Sequence, residues 1–152
     1  MVLKTEEPSV TASAIISFAE KLEDDSSKFY KQLAEKYRRS QELFLSLAEE
    51  SRKNKVLLVR TYQETITDAL EACFIKGIKV DDSITKTTLP EDANYMTALK
   101  IGIELEDKAS KFYLDSAGRS ESMLATIPRA FRKVAERRSK RKPKLKLLLE
   151  SL

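Results

Sequence analysis

The chain has 152 residues, 34% of them charged and 41% hydrophobic, with three Gly, four Pro, no Trp and no His. That length suits one domain with a sizeable core, and the composition suits a helical protein. The missing histidine removes the commonest general base and the commonest metal ligand together.

No apolar stretch approaches the roughly 20 residues of a membrane span, so no transmembrane segment is expected. The opening MVLKTEEPSV carries acids and a Pro where a secretory leader would need an apolar run. A single cysteine, Cys73 in the apolar string ALEACFI, excludes an intrachain disulfide. Cytoplasmic localisation is therefore expected, with Cys73 a small buried side chain. Charge is uneven. Arg129–Leu152 holds ten Lys/Arg against two Asp/Glu, while the first 128 residues hold 18 basic and 22 acidic residues.

Four helices are expected in chain order. The first covers about 11–37, with Ile15, Ala19, Leu22, Ser26, Phe29 and Leu33 at three- and four-residue steps. Ile16, Glu23, Tyr30 and Tyr37 lie beside that stripe. The second covers about 41–76, with Ser40 as N-cap, Gly77 as its stop and a seam of Phe44, Leu47, Ser51, Asn54 and Leu58. Residues 77–90, GIKVDDSITKTTLP, read as a long connection. Pro90 is expected to open the third helix, about 91–117, with Gly118 after it. The fourth covers about 126–150, with Pro128 in its first turn and a seam of Phe131, Val134, Arg138, Arg141, Leu145 and Leu148. Pro143 should kink or end it, since proline has no N–H for the carbonyl four residues back.

The stretch LEDDSSKFY (22–30) returns as LEDKASKFY (105–113), 83 residues on and identical at seven of nine positions. LAEE (47–50) is echoed by VAER (134–137) at a spacing of 87. Both helices of a hairpin thus recur in order, which reads as a duplicated hairpin, the alternative being chance similarity between amphipathic helices. Short turns inside the hairpins and a long link between them give an all-α four-helix bundle, two helical hairpins joined by a crossover.

A Glu early in a helix with a Tyr seven residues later, written twice, resembles the ferritin-like and rubrerythrin-like di-iron carboxylate proteins. The resemblance rests on LEDDSSKFY, LEDKASKFY, LFLSLAEESRKN and AFRKVAERRSKR. It implies a ferritin-like bundle in which helices one and three each give a Glu ligand and helices two and four each give Glu-x-x-His. Matched residue by residue, Glu23 and Glu106 take the single-Glu positions, and Tyr30 and Tyr113 the tyrosines behind them. The paired motifs fall on Ser51 with Asn54 and on Arg138 with Arg141. A shifted register would use Glu50 with Lys53 and Glu136 with Ser139, and restores no histidine.

Two guanidinium charges opposite two carboxylates would repel a divalent cation, about 4 kcal/mol per unit-charge pair at 4 Å. The expectation is a remnant site of Glu23, Tyr30, Ser51, Asn54, Glu106, Tyr113, Arg138 and Arg141, with no metal and no other cofactor. A carboxylate–guanidinium cluster would stand in the place of metal. The alternatives for the same residues are solvated helix-face carboxylates, ordinary core tyrosines and a solvated basic tail.

The run 129–146 has ten basic residues and one acid. Arg129, Arg132, Lys133, Arg137, Lys140, Lys142 and Lys144 are its anion-binding candidates, for nucleic acid or an anionic surface. The other explanation of this run is a solvated helix whose charges complement the C-terminal dipole and the acidic body of the same protein or a neighbouring subunit. Without a Ser/His or Cys/His pair, a Gly-rich phosphate loop or a CxxC, no catalytic residue is expected. The reading is a non-enzymatic structural, interaction or regulatory module, with a homodimer as its expected assembly. The alternative of another class is an iron- or manganese-binding oxidoreductase using Glu23, Glu50, Glu106 and Glu136.

Overall fold

A computed structural model describes residues 9–65, 74–76, 87–120 and 126–152. In chain order these form β1 (Ser9–Thr11), α1 (Ala12–Lys36), a single 3-10 turn (Arg38–Ser40), α2 (Gln41–Thr65), β2 (Phe74–Lys76), α3 (Tyr95–Arg119), α4 (Thr126–Ser139) and α5 (Arg141–Glu150). The protein is an all-α bundle of four helices, α5 prolonging α4, packed as two hairpins with a long connection between them.

Local chemistry sets the helix ends. The Thr11 hydroxyl accepts from the Ala14 N–H at 3.0 Å and caps α1. The Asn94 side chain does the same for α3, accepting from Thr97 N at 2.8 Å. The third helix therefore starts at Tyr95 rather than after Pro90, whose carbonyl instead accepts from Ala93 N in a turn. It also runs through Gly118 to Arg119. Ser40 is no N-cap: its hydroxyl meets the Tyr95 hydroxyl at 2.6 Å and ties the α1–α2 turn to the start of α3. The second helix does not reach Lys76, because Phe74–Lys76 is a strand paired antiparallel with Ser9–Thr11, Val10 opposite Ile75. Cys73, Gly77 and most of the expected link 77–90 lie outside the described residues. The fourth helix is interrupted at Lys140. Pro143 cannot donate to the Ser139 carbonyl, so it sits in the first turn of α5, where that donor is not required.

Contacts at the two ends fix the helix directions. The end of α1 meets the entry to α3, with the Lys36 ammonium 2.9 Å and the Tyr37 hydroxyl 2.8 Å from the Ala93 carbonyl oxygen. At the other end Thr65 of α2 touches Thr126 of α4 through their hydroxyls at 3.2 Å. Phe18, early in α1, packs against Phe112, late in α3, at 4.8 Å between ring centroids. Hence α1 and α3 are antiparallel, α2 and α3 are parallel, and the end of α2 and the start of α3 lie at opposite ends of the bundle. Thr87, Thr88 and Leu89 of the connection between them lie beside Lys28 and Gln32 of α1.

The two hairpins repeat each other's contacts at the spacings seen in the sequence. Phe29 meets Tyr30 edge-on at 5.2 Å, and Phe112 meets Tyr113 at 5.1 Å. Tyr30 faces Phe44 at 6.5 Å as Tyr113 faces Phe131 at 6.4 Å. Lys55 pairs with Asp24 at 3.0 Å, and Lys142 with Asp107 at 2.5 Å. Leu58 and Leu145, equivalent at the 87-residue spacing, are both fully buried. Leu58→Ala and Leu145→Ala should therefore each lower unfolding free energy by about 2–5 kcal/mol in urea denaturation. A loss under about 1 kcal/mol at either position would contradict the equivalence.

Candidate functional site

The seams of α2 and α4–α5 change character halfway along. Phe44 and Leu47 lead to Ser51 and Asn54 before Leu58; Phe131 and Val134 lead to Arg138 and Arg141 before Leu145. The apolar steps bury each stripe, and that burial carries the polar steps inside with it. Glu23 and Glu106, together with Tyr30 and Tyr113, arrive from α1 and α3 in the same way. All eight are at most 1% exposed. The solvated-face and solvated-tail alternatives for these residues are thereby corrected.

The geometry centres on Arg138. Its Nη1 donates to Glu23 Oε2, and its Nη2 donates to Glu106 Oε1 at 2.6 Å and to the Ser26 hydroxyl at 3.1 Å. The second carboxylate oxygen of Glu23 accepts from Asn54 Nδ2 at 2.9 Å. Arg141 donates through Nη1 to the Ser51 hydroxyl at 3.0 Å and to Glu106 Oε1 at 3.3 Å. Its Nε reaches Glu50 Oε1 at 2.9 Å, at the half-buried rim, and its guanidinium lies 5.8 Å from the Tyr30 ring centroid. Arg137 closes the rim by donating to Asn54 Oδ1 at 3.1 Å. Three carboxylates, Glu23, Glu50 and Glu106, thus surround the guanidiniums of Arg138 and Arg141, with Arg137 held at the rim by Asn54. Among the described residues the Tyr30 and Tyr113 hydroxyls and Glu106 Oε2 have no hydrogen-bond partner.

Protonation follows from burial and neighbours. Burial raises the Glu23 carboxyl above its ordinary value, against the opposing pull of Arg138, Arg141 and the Asn54 hydrogen bond. Burial likewise pushes both tyrosines well up, with Glu106 adding to the effect at Tyr30 and Glu23 at Tyr113. Both stay neutral at any physiological pH. Burial works against the Arg138 charge, yet Glu106 and Glu23 together raise its pKa above the ordinary arginine value.

An iron or manganese pair does not fit these residues. The carboxylates a metal would need already accept from guanidiniums, and each cation beside them repels a second cation. Glu136, the fourth member of the carboxylate-only set, is exposed, so the structure does not bring it to Glu23, Glu50 and Glu106. Among the described residues no three His, Cys, Asp or Glu side chains lie together as a metal site would require. Two of the anion-binding candidates are also otherwise engaged: Arg137 with Asn54, and Lys142 with Asp107. Arg137 was legible as a rim residue from the repeat, since the 87-residue spacing carries Glu50 onto it. Ser26 was visible as a polar step in the first stripe. No protein-family model, no curated protein and no solved structure matches the chain.

Removing one member of a buried ion cluster strands the others. Arg138→Met should cost about 3–5 kcal/mol in chemical denaturation, and adding Glu23→Gln and Glu106→Gln to it should recover most of that loss. An Arg138→Met loss under about 1 kcal/mol would contradict the cluster. A pH effect follows from the raised Glu23 pKa. As pH falls from 7 toward about 4.5, the folded state takes up the Glu23 proton before the unfolded state does, which favours folding. The stability of the protein relative to its Glu23→Gln variant should therefore rise over that interval, read from denaturation curves at pH 7 and pH 5.

Proposed function

We propose that the protein is a ferritin-like bundle in which a guanidinium–carboxylate cluster occupies the position of a di-metal site. Its role on this reading is that of a non-enzymatic structural, interaction or regulatory module. The observation that carries the reading is Arg138, fully buried and bonded to both Glu23 and Glu106, the residues that match the family's single-Glu ligands. The helix order supports it as well, with α2 and α3 parallel and a long link between them, as in ferritin-like bundles with one crossover. Arg138 would serve as an internal cation that is never lost, exchanged or oxidised. That suits a protein whose interior is held in one state. Among the described residues no helix is long and apolar enough to cross a membrane. A single cysteine also agrees with a reducing cytoplasm as the place of action.

Elemental analysis of protein purified without chelators, and then titrated with Fe(II) and Mn(II), should find substoichiometric metal. Binding of about two equivalents would overturn the reading. The register has its own check. A variant carrying Ser51→Glu, Asn54→His, Arg138→Glu and Arg141→His recreates both Glu-x-x-His pairs. It should bind about two equivalents of Co(II), with the visible absorption of a coordinated ion. A folded variant that binds none would refute the match to the family's ligand positions.

A further inference from the structure

The basic run at 129–146 divides by helical phase. Ile127, Phe131, Val134, Arg138, Arg141 and Leu145 are buried at alternating four- and three-residue steps that pass straight through the break at Lys140. Because that seam is continuous, the opposite side of α4 and α5 is one continuous face. It carries Arg129, Lys133, Lys140 and Lys144, all exposed, over about 22 Å at 1.5 Å per residue. Arg132 is exposed beside them, and Glu136 is the one acid on that face. Among the described residues Arg129, Lys133, Lys140 and Lys144 have no carboxylate partner. The explanation of this run as a complement to the protein's own acidic body therefore does not account for them.

The repeated hairpin supplies an internal control. At the 87-residue spacing, Arg129, Lys133, Lys140 and Lys144 correspond to Glu42, Ser46, Lys53 and Leu57 of α2. At these four positions the same fold thus carries no net charge in one hairpin and four positive charges in the other. Building the bundle does not require those charges.

We propose that this face binds the sugar–phosphate backbone of a nucleic-acid duplex without reading its sequence. A row of cations along the outer face of α4 and α5 matches the dense, regular charge of a duplex, about one phosphate per 1.7 Å of axis. Nothing aromatic stands on the face to stack unpaired bases, which a single-strand site would use. An anionic membrane is the poorer match. A helix that lies in a membrane buries an apolar side there, and the apolar seam of α4–α5 from Ile127 to Leu145 is already packed in the bundle. The proposal is independent of what occupies the interior cluster.

Fluorescence anisotropy with a labelled DNA duplex of about 30 base pairs, repeated across salt concentrations, tests it. The protein should bind with log K falling against log salt at a slope near −4, one contact per outward cation. A variant with Lys133→Glu, Lys140→Glu and Lys144→Glu should bind about tenfold or more weakly, with the slope reduced by about three. A control with Lys21→Glu, Lys31→Glu and Lys100→Glu, exposed positions elsewhere, makes the same change in net charge. It should stay within about threefold of the unmodified protein. Equal loss in both variants would reduce the effect to net charge and overturn the proposal, as would duplex binding that ignores salt. Binding to phosphatidylserine vesicles with none to the duplex would overturn it in favour of a membrane surface. Circular dichroism confirms that both variants fold, and their metal content reports separately on the interior.

Discussion

One guanidinium between two buried carboxylates organises this bundle. Arg138 comes from α4, Glu23 from α1 and Glu106 from α3, so a single side chain holds three helices in register. Such a contact is no guarantee of high stability, because removing three charges from water costs several kcal/mol per ion before any attraction is counted. Its effect is on uniqueness. If α4 were rotated by one residue or slid by one turn, a full positive charge and two negative ones would lie unpaired in an apolar core. Alternative packings of four amphipathic helices differ little in apolar burial, and an error in this cluster separates them sharply.

The cluster is possible because the repeat is imperfect. At equivalent positions α2 offers Ser51 and Asn54, while α4 and α5 offer Arg138 and Arg141. Two arginines on both hairpins would overfill the centre and leave two charges unbalanced. Two short residues on both would leave a cavity with two carboxylates facing each other. Short against long fills the space, and the short partners retain enough polarity to bind what the carboxylates do not. Ser51 accepts from Arg141, and Asn54 donates to Glu23 while accepting from Arg137. The aromatic pairs around the centre keep the symmetry that the centre has lost, with Tyr30 on Phe44 matching Tyr113 on Phe131. Packing constrains shape in both halves alike, whereas charge needs only to balance across them.

Much of this could be read from the chain because burial propagates along a helical period. Once Phe131, Val134 and Leu145 are placed inside, Arg138 and Arg141 must follow, and two buried arginines need carboxylates that the duplicated LED supplies. What escaped depended on contacts between segments distant in sequence. The pairing of Ser9–Thr11 with Phe74–Lys76 has no local signature strong enough to stop a helix reading across ALEACFIK. The Ser40 hydroxyl could serve as a cap by its position, and was claimed instead by Tyr95, which is 55 residues away. Two good signals for the start of α3, Pro90 and Asn94, stand four residues apart; the Asn side chain reaches the Thr97 N–H and prevails. Arg137 belongs to the basic run by composition, but its helical phase lies at the border of the buried seam, where a long side chain can turn inward.

Helical phase therefore sorts the cations of one basic segment into two populations with different physics. Arg138 and Arg141 are fixed by the interior, each paired within a few ångströms with carboxylates from Glu23, Glu106 and Glu50. The outward cations have the opposite character: screened by salt, free to change partners and unimportant to the packing. Changes on the outer face can therefore alter association without disturbing the core, since the two sets share neither partners nor a dielectric environment. A bundle whose central charges are paired among its own side chains can vary its surface charge independently, and the contrast between the outer faces of α2 and α4–α5 is what that independence permits.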